Sequence, residues 1–136
     1  TGTGGANTNV GVYNYFSSSS SPSMNNVTAT ATATGGTTTS YGVANVSSSP
    51  TMNNVTATAS GSGNNYGVQN DSSSPTIRNS SFTGSSNSIV NTGTASAGVA
   101  DTMLNGPVAP GGGLACVGVY TTAFVALSPG CMRLFR

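Results

Sequence analysis

The sequence predicts an all-β protein built as a solenoid of short parallel strands. One unit occurs three times, beginning at Ser19, Ser47 and Ser72. Within the unit, apolar residues alternate with Thr, which is typical of a strand with one buried face. Ser, Thr, Asn, Gly and Val are poor helix formers, and no apolar stripe has the helical period. Repeats of this kind, with short strands in each period, favour a solenoid in which every strand pairs with its copy one coil later.

Each unit begins with a proline corner, which a half-buried strand follows. Pro22, Pro50 and Pro75 mark the corners, because proline fixes its own φ and lacks a hydrogen-bond donor. The strand that follows is predicted to turn Val and Ala inward and Thr outward. The inward residues of the first two units are Val27, Ala29, Ala31, Ala33, Val55, Ala57 and Ala59.

A recurring Gly-Val phrase predicts a further strand in each period. Its equivalent buried positions are Val12, Val43, Val68 and Ile89. A degenerate fourth unit follows the third, and it places Ile77 over Val99, Asn79 over Asp101, Phe82 over Leu104 and Gly84 over Gly106. We therefore expect one domain of about four coils over residues 11–106, with a lead-in over 1–10 and a C-terminal capping segment over 107–136.

Two other interpretations compete with the solenoid. A meander of hairpins would also alternate, and a chain this rich in Ser, Thr, Asn and Gly could be disordered. The apolar residues nevertheless recur at fixed places, which indicates that they form a core. The repeat period, with several short strands in each period, favours the solenoid over the meander.

Asparagines recur at one place in the unit and predict a stacked ladder. In a parallel coil, equivalent residues lie about 4.8 Å apart, close enough for side-chain amides to bond to one another. We predict such a ladder at an inner corner, with Asp101 as its last member. Its residues are Asn26, Asn54, Asn79 and Asp101.

The two cysteines predict a disulfide-linked end. Cys116 and Cys131 lie close together near the C-terminus, and the chain contains no His to complete a zinc site. A disulfide is the preferred interpretation, with two buried thiols as the alternative. Two apolar strands are predicted in this segment, at 114–120 and 123–127, and they would cap the open end of the solenoid.

Beyond periodicity, the repeat resembles a known family. The phrases YGVANVSSSPTMNNVTATA and YGVQNDSSSPTIRNSSFTG are similar to repeats of right-handed parallel β-helix proteins, the pectin-lyase-like superfamily, and especially of its bacterial secreted members. The resemblance covers residues 11–106, and the tail around Cys116 resembles the closing segment of bacterial surface proteins. It implies a right-handed parallel β-helix, but no particular activity, because many functions occur on this scaffold.

The composition leaves few groups for chemistry. The chain carries five charged residues at a net charge of +1, which is 4% against about 25% in ordinary domains. Lyases of the resembled superfamily use carboxylate clusters, often with calcium, and a basic residue; here the only carboxylates are Asp71 and Asp101. Glycoside hydrolysis ordinarily needs two facing carboxyl groups, and no His or Lys is present as a base. We predict no catalytic residue, no metal and no cofactor.

Two surface features remain as candidate sites. Outward hydroxyls would form ranks on one face, similar to the arrays of β-solenoid ice-binding proteins, although Thr is also an ordinary exposed strand residue. This candidate face comprises Thr28, Thr30, Thr56, Thr58, Ser81 and Thr83. Sequons are frequent, and Asn45 and Asn70 are predicted to be the accessible ones, since the ladder would occupy the others.

These observations predict a non-catalytic, extracellular structural protein. Because the chain has little charge to protect its strand edges, we expect a surface or fibre subunit that assembles head to tail with itself. The coil from Val10 to Phe16 would dock on a neighbour's C-terminal end. The alternative is a carbohydrate-binding adhesin or an ice-binding solenoid; an enzyme ranks third. The chain opens without a signal peptide and reads as a mature, secreted form, and we expect neither nucleic acid as a partner nor a membrane span.

Overall fold

A computed structural model describes residues 1–4, 7–15, 21–36, 38–109, 111 and 113–132. This part of the chain contains sixteen strands and no helix. The strands are β1 (Gly2–Gly4), β2 (Thr8–Tyr15), β3 (Ser23–Asn25), β4 (Thr28–Ala33), β5 (Thr39–Val46), β6 (Thr51–Asn53), β7 (Thr56–Gly61), β8 (Asn64–Asp71), β9 (Thr76–Arg78), β10 (Ser81–Gly84), β11 (Asn87–Thr92), β12 (Ser96–Ala100), β13 (Met103–Asn105), β14 (Val108–Ala109), β15 (Gly113–Val117) and β16 (Tyr120–Thr121).

Three parallel sheets form the walls of a solenoid. Sheet A has the order β1-β4-β7-β10-β13-β16, sheet B has β2-β5-β8-β11-β14, and sheet C has β3-β6-β9-β12-β15. Successive strands of the chain visit the sheets in fixed rotation, A then B then C, and each strand pairs with the one three places further along. The predicted all-β solenoid is therefore confirmed: β2 to β13 make four rounds of the three sheets, and β14 to β16 add a further round in the segment predicted as a cap.

The predicted register between coils is also confirmed. Ile77 pairs with Val99, and Phe82 pairs with Leu104. The Gly-Val phrase stacks as predicted, since Val12 pairs with Val43, Val43 with Val68, and Val68 with Ile89. The core runs along the axis as columns of these residues. Its largest fully buried apolar side chains are Phe82, Met52, Ile77, Ile89, Leu104, Val43, Val55, Val68 and Val119.

Strand pairing extends beyond the predicted coils at both ends. In the predicted lead-in, β1 pairs with β4, and β2 begins at Thr8. In the predicted capping segment, β14, β15 and β16 continue sheets B, C and A. The predicted strand at 114–120 is two strands, because Gly118, with a φ of +63°, turns the chain between them. In place of the predicted strand at 123–127, the chain turns at residues 122–123 and then forms an antiparallel bridge from Tyr120 to Ala126.

The coils become shorter towards the C-terminus. In sheet B, Thr8 pairs with Thr39, Thr39 with Asn64, Tyr66 with Asn87 and Ile89 with Val108. Each of these pairs is closer in sequence than the pair before it, so every coil uses less chain than the last. Sheet B shortens with them, from eight residues in each of β2, β5 and β8 to six in β11 and two in β14. We therefore call the N-terminal end of the solenoid wide and the C-terminal end narrow.

Residues 122–132 fold back over the narrow end. The amide of Cys116 donates to the carbonyl of Pro129 at 2.7 Å, and the amide of Leu127 donates to the carbonyl of Val119 at 2.9 Å. A disulfide joins Cys116 to Cys131, as predicted, and both are buried. Backbone groups of the last coil are thus partly covered by the same chain, which is how solenoid ends are protected.

Sheets A and B approach each other closely because glycine lies between them. A Cβ built on Gly42 would lie 2.6 Å from the carbonyl oxygen of Gly67 and 2.7 Å from the amide nitrogen of Thr58. Gly11 faces Thr30 in the same way. The inward residues of sheet A opposite these glycines are alanines. Small residues on both sides therefore allow sheet A, which carries the outward Thr residues, to pack closely against sheet B. Within the described residues, no helix is long and apolar enough to cross a membrane.

Candidate functional site

A buried asparagine ladder runs through the solenoid at the end of sheet B. Asn14 Nδ2 donates to Asn45 Oδ1 at 2.8 Å, Asn45 Nδ2 to Asn70 Oδ1 at 2.8 Å, and Asn70 Nδ2 to Asn91 Oδ1 at 2.9 Å. Asn91 Nδ2 ends the series on the carbonyl of Gly113 at 2.8 Å. All donors point towards the C-terminal end, which gives the ladder a direction.

The buried ladder corrects the prediction about Asn45 and Asn70. Both side chains are 0% exposed and bonded on two sides, so neither can carry a glycan in the folded chain. A signal for these positions was present in the sequence. In each coil the Asn lies two residues after the buried Val or Ile of the Gly-Val phrase, for example Val43 and Asn45. Two residues along a strand return to the same face.

The predicted ladder of Asn26, Asn54, Asn79 and Asp101 is a stacked column at an exposed corner. Asn54 Nδ2 donates to Asn26 Oδ1 at 2.6 Å, so this pair bonds as predicted, whereas Asn79 Nδ2 donates to Asn53 Oδ1 at 3.2 Å instead of to Asn54. All four side chains are exposed, however, and the inner position that we predicted for them is wrong. Their φ values lie between 47° and 55°, in the left-handed region. Asn and Asp tolerate that region better than other residues with a Cβ, and here they turn the chain from sheet C to sheet A.

The predicted Thr face lies on the outer side of sheet A. Thr28, Thr56 and Ser81 form one column, and Thr30, Thr58 and Thr83 form the next. A third column was missed in the sequence, in which Thr3, Thr32 and Ser60 pair in register. Thr32 and Ser60 approach within 3.4 Å through their hydroxyls. The columns end where Met103 and Asn105 replace the hydroxyl residues.

The two carboxylates lie at different corners. Asp71 ends β8 in sheet B, where the Ser72 hydroxyl donates to its carboxylate at 3.2 Å. Asp101 follows β12 in sheet C. The structure therefore does not bring them together as a facing pair. The described residues contain no group of three or more His, Cys, Asp or Glu that could hold a metal ion.

Tyr41 on sheet B, which stacks on Tyr66, is unsuited to act as a nucleophile or general base. Tyr41 and Tyr66 have ring centroids 5.4 Å apart. Burial raises the pKa of Tyr41, and the neighbouring Tyr66 and Asp71 raise it further. A raised pKa keeps the phenol protonated near neutral pH, which is the opposite of what a nucleophile or general base requires.

An apolar cavity of about 580 Å³ lies between the last coil and the folded-back segment. Leu104, Val108 and Leu127 contribute to its lining, together with Met132. The chain continues from Met132 into residues 133–136, which lie outside the described residues. Among the described residues that line the cavity, none carries a charged side chain, so the cavity offers no constellation for catalysis.

Fold and site together define the class of the protein. The described residues form an all-β solenoid with a buried amide ladder, an exposed column of Asn and Asp residues in the left-handed conformation, and a face of Thr and Ser hydroxyls. No protein-family model, curated protein or solved structure matches the chain.

Proposed function

We propose that this protein is a non-catalytic structural module of an extracellular surface or fibre. The observation that carries the proposal is the amide ladder, which runs from Asn14 through Asn45 and Asn70 to Asn91. Polar side chains that could perform chemistry instead bond to their equivalents in the next coil. Buried networks in which every polar group is hydrogen-bonded make a fold rigid and specify it uniquely. Such rigidity suits a structural protein.

Several further features support the extracellular part of the proposal. Disulfides persist in oxidising compartments, and this chain pins its C-terminal end with one. The repeats resemble those of bacterial surface members of the pectin-lyase-like superfamily, which would make the solenoid right-handed. Right-handed crossovers are also the rule between parallel strands.

Self-association belongs to the proposal, but the two ends favour it unequally. A head-to-tail contact would bring β2 against the C-terminal end of a neighbour. That end is narrow and covered by residues 122–132, whereas at the wide end β2 is the last described strand of sheet B. Phe16, which belongs to the predicted contact, lies outside the described residues.

Incubation with a panel of polysaccharides, with product analysis by mass spectrometry, tests the structural role. We expect no turnover of any substrate and no saturable binding on a glycan array. Turnover that is lost in both Asp71→Asn and Asp101→Asn would contradict the proposal, because it would make the chain an enzyme.

A second candidate function rests on the three hydroxyl columns of sheet A. Their in-register stacking produces a flat, uncharged array that could bind ice or an ordered carbohydrate. If the face binds, Thr58→Glu at its centre should lower the activity at least about tenfold, because a carboxylate must be desolvated on contact. Thermal hysteresis and pull-down with insoluble polysaccharides measure the effect.

Thr76→Glu is the matched control, since Thr76 is an exposed outward residue of sheet C. It should leave the binding unchanged. Equal loss in both variants, or no activity in the unmodified chain, would remove this candidate.

A further inference from the structure

The edge strand at the wide end of the solenoid carries neither of two features that usually protect an edge, charge and proline. β2 has eight residues, the sequence TNVGVYNY, with no charge and no proline. It is the outermost strand of sheet B, and within the described residues no other strand pairs with its N-terminal edge. Natural proteins block such edges with charges, prolines or covering segments, because an unpaired edge pairs readily with another chain.

The inward and outward side chains of β2 alternate in a pattern that is symmetrical about the middle of the strand. Asn9 is buried, Gly11 faces the backbone of Thr30, Val12 packs against the core, and Asn14 begins the buried ladder. These four point inward. Val10 stacks in the outer column of Tyr41, and Tyr13 is 56% exposed. With Thr8 and Tyr15 also outward, the strand reads out-in-out-in-in-out-in-out.

This order is a palindrome centred between Gly11 and Val12. An antiparallel strand related by a two-fold axis at that centre would match every inward residue with an inward one. Val10 would face Tyr13 of the partner subunit, and Gly11 would face Val12 of the partner subunit. A register shifted by one residue would set inward residues against outward ones along most of the strand, and a shift by two would do so at its centre. The unshifted register is therefore the one that matches every position.

The buried ladder supplies an independent reason. Its donors all point towards the C-terminal end, so that Asn14 Oδ1 receives no hydrogen bond from the described residues. In the two-fold arrangement Asn14 lies opposite Asn9 of the partner subunit. Asn9 Nδ2 uses one hydrogen on the carbonyl of Gly4 at 3.2 Å, and an amide nitrogen carries two. The second can be donated to Asn14 Oδ1 across the axis.

The opposite end of the solenoid is a poor partner for β2. There sheet B ends in β14, which has two residues against eight in β2. The coils have also shortened towards that end, and residues 122–132 fold over it. A second copy therefore offers its own wide end as the better match.

We propose that two copies of this chain form a closed dimer in which β2 pairs with β2 of the partner subunit, antiparallel about a two-fold axis. The inference rests on the proposed structural role and gives its self-association a geometry. Sheet B becomes continuous across the two copies, and the narrow, disulfide-pinned ends point outward. Such an isologous contact closes on itself and does not propagate.

Light scattering after size exclusion tests the dimer on the 136-residue chain. We expect twice the monomer mass of 13.3 kDa. Tyr13→Lys should weaken dimerisation at least about 100-fold, because it brings an unpaired charge into the contact. Phe124→Lys is the matched control: Phe124 is an aromatic residue at the other end and is 84% exposed. It should leave the dimer intact, and circular dichroism verifies that both variants fold.

The V10C/Y13C double variant tests the register. Its two new thiols are three residues apart on one strand, about 10 Å, which is too far for a bond within one copy. Across the axis they face each other, and mild oxidation should give covalent dimers that neither single variant gives at the same rate. A monomer at high concentration would overturn the dimer while leaving the absence of turnover, and so the structural role, intact. Filaments that both Tyr13→Lys and Phe124→Lys disrupt would overturn it in favour of head-to-tail assembly.

Discussion

Replacing Asn45 with aspartate is expected to lower the free energy of unfolding by about 3–5 kcal/mol at neutral pH, the cost of leaving an uncompensated charge in the interior. The exchange keeps the shape of the side chain, so no cavity arises. It removes the donor that Asn45 Nδ2 directs at Asn70 Oδ1 at 2.8 Å. Two oxygens then face each other at a position that is 0% exposed.

The loss should depend on pH in a defined direction. Burial raises the pKa of the new carboxyl in the folded state above its unfolded value of about 3.9. Below that unfolded value both states are protonated, and the neutral acid can donate its proton to Asn70. As the pH rises, the unfolded state ionises first, so that stability relative to the unmodified chain falls and then levels above the raised folded pKa.

Asn53→Asp is the matched control. Asn53 also sits within a column, since it donates to Asn25 Oδ1 at 3.2 Å and accepts from Asn79 Nδ2 at 3.2 Å. That column is open to solvent, which screens a new charge, and we expect a change below about 1 kcal/mol. Urea unfolding at pH 4 and pH 7 measures both variants. Similar losses in the two, or a loss in Asn45→Asp that does not change with pH, would contradict a structural role of the buried ladder.

The fold could be predicted because apolar residues are scarce and strictly placed. Only one arrangement puts Ile77 over Val99 and Phe82 over Leu104 while keeping Thr outside, and the structure has that register. The pairing of the segment predicted as a cap could not be read from the sequence for a related reason. Beyond Gly106 the repeat degenerates in sequence, yet β15 still pairs with β12 through five residue pairs. Backbone pairing does not require the side-chain motif to continue.

The asparagines show where sequence patterns are ambiguous. Asn can stack its amide in a buried ladder, and it can also adopt the left-handed conformation at an exposed corner. Each column contributes one residue per coil, so repetition alone cannot assign Asn54 to the corner and Asn45 to the interior. The bend of the backbone decides between them, and it is visible only once the strands are assembled: φ at Asn54 is 53°.

Residues 122–132, which fold back over the narrow end, are not part of the repeat, so no repeating pattern could predict their course. The sequence correctly indicated a disulfide between Cys116 and Cys131, but it suggested a second strand where the chain makes a turn. Residues 123–127 are apolar and strand-like in composition. They cover a strand edge instead of extending a sheet, so their local preference is overridden by the position of the end.

We expect that Gly42 cannot be replaced, because there is no space for a side chain at this position. Gly42→Ala should lower the free energy of unfolding by about 3 kcal/mol, which is the upper end of the loss that overpacking a core usually causes. The added Cβ would lie 2.6 Å from Gly67 O, 2.7 Å from Thr58 N and 3.0 Å from the carbonyl carbon of Ala57. All three neighbours are backbone atoms of adjoining strands, and strands held on both sides by hydrogen bonds cannot move aside without disturbing their ladders. Relief would require sheet B to separate from sheet A.

Gly98→Ala separates this steric cost from the general effect of replacing glycine in a strand. Gly98 lies in β12, is exposed, and has no atom within 4 Å of a built Cβ; we therefore expect it to be neutral or stabilising by up to about 1 kcal/mol, since alanine restricts the unfolded chain. Urea unfolding measures both variants. A difference in the midpoint, with the same slope of unfolding free energy against urea concentration, would show that stability has changed and not the compactness of the unfolded chain. Because the clash at Gly42 presses on Thr58, the same variant should also disturb the hydroxyl columns of sheet A. Equal stability of the two variants would mean that glycine does not set the spacing between the sheets, and the flatness of the Thr face would then need another cause.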